Sequence, residues 1–369
     1  MECQGADLLH VLLCCSERAA HLARVCRQST IFQDVVEGKA DIIKNKTVMQ
    51  DFKTVADVMV QAMVQHYISA EYPALGGHVL GEESCQFTTV NGTCLDLGVQ
   101  PTEQETAELL EQAMRGADAS TAARMASVVH GPPPDVGPVA AEACRRLEGT
   151  SLPLEDLAVW IDPIDCTSEY VRGAPAYTDD VTRLVTSGLP AVTVLVGVFR
   201  RSSGRPVMGV VTQPFGNQNS DGTWSSAQYW GVCHGDLRLS NLPPSSPAAA
   251  PSSVVMTSRS ERDDVISSLR SAGLQPMAAS GAGYKLLQVA LGSALGFVVS
   301  LSSTFLWDTC APDALLQAVG GSLVFKDGKT IRYDRTVADS RNSGCLLAAR
   351  DEESLKRLTV ALATCPDVL

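Results

Sequence analysis

The chain has 369 residues and a formal net charge of −12, a length that divides by default between two packed domains or subdomains. A nucleic-acid or anionic-membrane partner would need a basic face, so neither is expected; an anionic substrate stays open, because metal ions invert the field around a carboxylate cluster. Hydrophobic residues make up 45% of the chain but aromatic ones only 5%, so aliphatic cores are expected.

In chain order, Leu8, Leu12, Cys15, Ala19, Leu22 and Cys26 recur at helical spacing and predict a helix over Asp7–Arg27. A second helix is expected from Thr54, with Val55, Val58, Met59, Ala62 and Met63 as its apolar stripe. Thr102 with Glu105 forms a capping box, opening a third helix that runs to Gly116. Gly131–Pro138 (GPPPDVGP) reads as a loop. Strands follow at Leu157–Ile161, Ala191–Phe199 and Val207–Thr212, the last two joined by a hairpin over Arg200–Pro206 that contains Gly204.

The stretch Leu242–Ser253 (LPPSSPAAAPSS) is the best linker. Beyond it, strands and helices alternate: strand Val254–Met256, helix Glu261–Ala272, helix Tyr284–Leu291, strand Gly296–Leu301, helix Ala311–Val319 and strand Ser322–Phe325. Alternation predicts an α/β second part after an α+β first part. The twelve cysteines contain no CxxC pair and no zinc-ligand spacing, which predicts reduced, mostly buried thiols in a reducing compartment. Leu8–Cys15 is too short for a signal peptide, and no apolar run is long enough to span a bilayer. A cytoplasmic protein is expected.

The sharpest chemical feature is Asp162-Pro163-Ile164-Asp165-Cys166-Thr167 at the end of an apolar strand. A tight turn there aims two carboxylates at one point, a donor set suited to Mg²⁺, and a helix opening at Cys166 and Thr167 would offer N–H groups to a phosphate. The bland alternative is an Asx-turn or N-cap. Glu82-Glu83 alone would be a solvated face, Asp308 an N-cap and Asp57 a first-turn carboxylate on a helix dipole. The histidines fall in no ligand pattern, and Trp160 and Trp307 read as packing residues.

Taken in order, Asp57, Glu82-Glu83, DPIDCT at 162–167 and Trp307-Asp308 resemble a known family. This is the lithium-sensitive, magnesium-dependent phosphomonoesterases, which include inositol monophosphatase, fructose-1,6-bisphosphatase and bisphosphate nucleotidase. Their pattern D…EE…DP(I/L)DxT…WD is carried in full. Within the family the chain is most similar to members acting on inositol polyphosphates, through LLCCSERAAHLARVCRQ, DFKTVADVMVQ (Asp51–Gln61), GEES (Gly81–Ser84), TEQETAELL (Thr102–Leu110), GVVTQPF (Gly209–Phe215) and GAGYK (Gly281–Lys285). The prolines after Leu242 and the C-terminal end match least.

The resemblance implies a layered α/β/α/β/α sandwich. Residues 1–242 would form an α+β domain, 243–253 a linker and 254–369 an α/β domain that supplies Asp308. It implies that Glu82, Asp162 and the Ile164 carbonyl hold one Mg²⁺, that Asp162, Asp165 and Asp308 hold a second, and that Glu83 aids a weaker site. Li⁺ would inhibit. Thr167, its hydroxyl fixed by Asp57, would position an attacking water. Cys166, Thr167, Ser258, Gly281, Ala282 and Lys285 would contact an inositol polyphosphate that loses its 1-phosphate, inositol 1,4-bisphosphate or 1,3,4-trisphosphate. Lys285 would meet a second phosphate; its bland alternative is a surface lysine. One departure is Ser260, where the family pattern leads us to expect lysine. A monomer is expected. The competing expectations are a 3′(2′),5′-bisphosphate nucleotidase, which WDTCAPDALLQAVGG (Trp307–Gly321) suits equally, and a pseudoenzyme that binds inositol phosphates without turnover.

Overall fold

A computed structural model describes residues 2–29, 42–88, 93–114, 118–244 and 253–365, and of residues 42–54 the backbone alone. The described helices are α1 (Gly5–Arg27), α2 (Ile42–Glu71), α3 (Glu103–Ala113), α4 (Ala119–His130), α5 (Gly137–Arg146), α6 (Thr167–Arg172), α7 (Asp263–Ser271), α8 (Ala282–Leu291), α9 (Leu306–Ala318) and α10 (Glu352–Ala361). The strands of the first sheet are β1 (Val79–Gly81), β2 (Leu157–Asp165), β3 (Thr193–Arg200), β4 (Pro206–Gln218), β5 (Trp224–His234) and β6 (Leu237–Ser240). Those of the second are β7 (Val254–Thr257), β8 (Gln275–Ala278), β9 (Gly296–Val299), β10 (Ser322–Phe325) and β11 (Leu346–Ala349).

The first sheet has the order β6-β5-β4-β3-β2-β1, antiparallel except for the parallel β1–β2 pair. The second runs β8-β7-β9-β11-β10. Its β7–β8 and β7–β9 pairs are parallel, and its β9–β11 and β10–β11 pairs antiparallel. The alternation of strand and helix thus gives an α/β second part whose sheet is mixed, parallel on one side and antiparallel on the other.

Strand periodicity shows how the layers stack, because successive side chains leave opposite faces. In the first sheet Val159, Ile161, Val194, Val196 and Val198 enter the core shared with α1 and α2, while Ala158, Trp160, Leu195 and Phe199 enter a second core with α8 and α9. In the second sheet Val254, Met256, Phe297 and Val299 face that same central core. Val255, Val298 and Leu347 turn the other way, toward α7 and α10. The result is the expected α/β/α/β/α sandwich.

Several boundaries differ from expectation. α2 begins at Ile42 rather than Thr54, since no glycine or proline interrupts 42–71. The capping box at Thr102 is formed, and Gly116 lies outside the described residues. Gly137-Pro138 opens α5, with proline in the first turn where its missing N–H costs nothing. The Arg200–Pro206 hairpin is present, Gly204 taking φ +67°. α9 starts at Leu306, not Ala311, so Pro312 lies inside it. Of the linker, 245–252 lie outside the described residues. All twelve cysteines are free, seven of them buried, and no described helix is long and apolar enough to cross a membrane.

The placement of α9 depends on a row of glycines. Gly197, Gly209 and Gly231 stand opposite one another on β3, β4 and β5. A Cβ on Gly197 would lie 2.5 Å from the Ala311 nitrogen and one on Gly231 2.8 Å from Leu315 Cα, with one on Gly209 closer still to the Ala311 carbonyl. The row is a groove that lets the helix backbone touch the sheet. Gly209→Ala is expected to lower stability by about 1–3 kcal/mol in urea unfolding, because the overpacked helix must lift. A variant as stable as wild type would show that the helix does not rest there.

Candidate metal and phosphate site

β2 is buried along its whole length, and its register against β3 breaks at the site. Asp162 lies opposite Leu195 and Asp165 opposite Thr193, three steps on β2 against two on β3. Residues three apart on a regular strand point to opposite faces. One extra residue at Pro163-Ile164 restores parity, so both carboxylates leave the same face. The expected tight turn is therefore a bulged strand, a place where proline is tolerated because the ladder is already interrupted. Beyond it Cys166 takes a left-handed conformation, φ 69°, and α6 opens at Thr167.

From across the central layer, α9 brings in Asp308 from its first turn. One carboxylate oxygen each from Asp162, Asp165 and Asp308 lie within 4.8 Å of one another, all three residues buried. Asp308 also accepts the Phe305 N–H at 2.5 Å, so it closes the first turn of α9 from the third helical position, with Phe305 rather than Asp308 as the N-cap. Asp165 is held more tightly: Oδ2 accepts from Gly283 N–H at 2.8 Å and Thr193 Oγ1 at 3.0 Å, and Oδ1 from Ala282 N–H at 3.3 Å. Ala282, expected beside the substrate, thus directs its N–H at Asp165. Gly281, at φ +75°, lets the chain approach: a Cβ there would lie 2.8 Å from the Ala191 carbonyl.

Glu82 follows β1, and its N–H reaches the Ile161 carbonyl at 3.3 Å. Its side chain is exposed, while Glu83 is half-buried. Buried Gln61 clamps Glu83, accepting its N–H at 2.9 Å and donating to its carbonyl. A Cβ on Gly81 would collide with that amide. Sequence reasoning missed Gln61, Thr193 and Gly283; only the small residues beside the acidic motifs hinted at close approach.

Electrostatics match this convergence. Burial, then Asp165, Glu82, Asp308 and Asp57, push Asp162 well above the usual carboxylate range. Asp165 is raised by burial against its hydrogen bonds and Lys285, and Asp308 is raised to about 8, chiefly by burial and then by Asp165. Asp162 Oδ1 is buried without a hydrogen-bond partner. A buried acceptor with no donor, among carboxylates that destabilise each other's charge, is a donor set that fits a hard divalent cation.

Thr167 donates its hydroxyl proton to the Ile164 carbonyl at 3.2 Å, not to Asp57 as expected, because the turn at Cys166 folds the hydroxyl back onto the strand end. Asp57 is buried in α2 and acts on Asp162 through its charge. Burial pushes the Cys166 thiol up to about 12, so it is no nucleophile. Ser258 and Ser260 are hydrogen-bonded neighbours, 3.0 Å between hydroxyls. Lys285 is no surface lysine: 7% exposed, it has its pKa lowered by burial, and its ammonium stands 5.6 Å from the Phe297 ring centroid. Trp160 and Trp307 pack 6.0 Å apart, as expected.

A bulged strand and a helix-borne aspartate bring three buried carboxylates together between two sheets, with Glu82 acting on them through its charge, and this arrangement in a five-layer sandwich defines the class, the metal-site phosphatases. The inositol monophosphatase family matches residues 96–363, and the chain belongs to that family; it is a phosphoric monoester hydrolase. It is 38% identical to inositol polyphosphate 1-phosphatase of Mus musculus over 336 residues, covering 86% of this chain and 83% of that one. For the Homo sapiens protein of the same name the identity is 36% over 340 residues, with the same coverage. It is 28% identical to 3′(2′),5′-bisphosphate nucleotidase 1 of Rattus norvegicus over 326 residues, covering 86% and 85%. The crystal structure of extragenic suppressor protein suhB from Bartonella henselae covers 97% of this chain and all of that one, with TM-score 0.51 at 13% identity, a likeness of fold alone.

Proposed function

We propose that the enzyme removes the 1-phosphate from inositol 1,4-bisphosphate and inositol 1,3,4-trisphosphate, with Mg²⁺ as cofactor and Li⁺ as inhibitor. The observation that carries the substrate class is the higher identity to inositol polyphosphate 1-phosphatases, 36–38%, than to the nucleotidase, 28%, over the same share of the chain. Glu82, Asp162 and the Ile164 carbonyl would hold one Mg²⁺, and Asp162, Asp165 and Asp308 a second, with Glu83 at a weaker position. Two such ions would acidify a bound water and stabilise the leaving oxygen.

The chain's own groups do the rest. Because the Thr167 proton is committed to the Ile164 carbonyl, Thr167 Oγ1 is left as an acceptor and orients a water by receiving one of its protons. Asp57 and Glu82 add negative charge that favours a positively charged occupant. The N–H groups of Cys166 and Thr167 face the phosphate, Gly281 lets its backbone approach Ala191 and Asp165 beside the ring, and Ser258 contacts a distal phosphate. Ala282 and Gly283 keep Asp165 in place. Lys285, a buried cation with no hydrogen bond or ion pair among the described residues, meets the phosphate that stays on the ring. Residues 1–242 would act as one domain and 254–369 as the other.

A phosphate-release panel tests the proposal. Inositol 1,4-bisphosphate should be turned over well ahead of adenosine 3′,5′-bisphosphate; the reverse order would make the enzyme a nucleotidase, and idleness on both a pseudoenzyme. In the same panel Lys285→Ala should lower kcat/KM for inositol 1,4-bisphosphate on the order of 10- to 100-fold, mainly through KM. Inositol 1-phosphate should lose far less. Equal losses on both would remove Lys285 from distal-phosphate recognition.

A further inference from the structure

Glu169 carries the observation. Its carboxylate, 3% exposed, lies in α6 two residues beyond Thr167. Oε2 accepts the Gly188 N–H at 3.1 Å and Oε1 the Ser280 hydroxyl at 2.9 Å. The carboxylate is thus fixed to the segment that leads directly into Gly281 and Ala282. Two arginines reach it from outside: Arg172 Nη1 at 3.3 Å and Arg259 Nη2 at 3.8 Å from the same Oε1. Their side chains are 61% and 52% exposed.

One carboxylate balances one of these two charges, so the pair keeps a net positive charge in a chain of net charge −12. Hydrogen bonding leaves it unsatisfied as well. Each guanidinium has five N–H donors. Arg172 uses one on Glu169, and the Arg259 contact is an ion pair too long for a hydrogen bond; neither makes another hydrogen bond among the described residues. A buried, rigid anchor with two guanidinium heads projecting into solvent is preorganised for a dianionic, multidentate guest, and arginine suits phosphate better than lysine does. Position narrows the guest further. Ser280 ties the anchor beside Gly281, where a Cβ would stand 3.2 Å from Asp165 Oδ2, so the anchor is joined to the segment that packs against the carboxylate cluster.

We propose that Arg259 and Arg172, held by Glu169, form a rim site for the additional phosphate of an inositol trisphosphate, separate from the phosphate cleaved and from the one met by Lys285. This rests on the substrate reading above. The pair then sets the preference for trisphosphate over bisphosphate, chiefly through binding.

The test is the ratio of kcat/KM for inositol 1,3,4-trisphosphate to that for inositol 1,4-bisphosphate in wild type, Arg259→Ala, Arg259→Lys and the Arg172→Ala/Arg259→Ala double variant. Arg259→Ala should reduce the ratio on the order of tenfold through KM. The double variant should reduce it further, and Arg259→Lys should restore part of it. Both residues are half-exposed, and unchanged thermal melting verifies the fold. A ratio unchanged in the double variant, or equal losses on both substrates, overturns the rim site while leaving the substrate reading intact. A wild type idle on both substrates overturns that reading, and the rim site with it.

Discussion

Asp162→Asn is expected to lower turnover by roughly 10²-fold or more at saturating Mg²⁺. Asp162 stands at the centre of the cluster: its carboxylate is within 4.8 Å of both Asp165 and Asp308, and Glu82 and Asp57 act on it through their charges. Under the proposed ligand assignment it belongs to both metal positions, so one neutralisation weakens both. The amide is nearly isosteric, and Oδ1 of the native residue has no hydrogen bond to lose. The fold should therefore persist, and without metal the variant should melt no lower than wild type, since a source of mutual repulsion has gone. Steady-state kinetics with thermal melting in chelator examine both halves. Near-normal turnover in Asp162→Asn would sink the site assignment.

Removal of divalent cations is expected to abolish turnover, Mg²⁺ to restore it, and Li⁺ to inhibit the restored enzyme. The charges explain the first two. Asp162 and Asp165 are raised above the ordinary carboxylate range and Asp308 to about 8, so near neutrality the metal-free cluster retains a proton on Asp308. A cation must displace it. The sign follows: with folded pKa values raised, affinity for Mg²⁺ increases as pH rises toward and past 8, and binding releases protons. Calorimetric titration in two buffers of different ionisation enthalpy reads that release directly, independently of activity. Full turnover in excess chelator, or Mg²⁺ affinity that does not depend on pH between 6 and 8.5, would contradict this account.

The motifs were legible because each is a short run whose chemistry is local. The carboxylates of DPIDCT suggested a metal from their own spacing, whereas the glutamate pair and Trp307-Asp308 became candidate ligands only through the family resemblance; the capping box at Thr102 and the hairpin around Gly204 were legible locally. Apolar patterning placed α1 and β3 to within a few residues, whereas β4 runs on to Gln218, six residues beyond its expected end at Thr212.

What the tertiary structure decided lies in properties that no window of sequence contains. The bulge that puts Asp162 and Asp165 on one face exists only as a register against β3. The start of α9 was misplaced because Pro312 argues locally against a helix interior, whereas the glycine groove of β3, β4 and β5 holds that helix from outside. A surface lysine was the bland alternative for Lys285, and it is excluded only once α8 packs into the central layer and buries the side chain. Gln61, Thr193 and Gly283 carry no catalytic signature; they matter because hydrogen bonds at 2.8–3.0 Å fix Glu83 and Asp165 across distant stretches of chain. Chemistry is written residue by residue, but the direction in which each carboxylate points is set by pairing and packing partners far away in sequence.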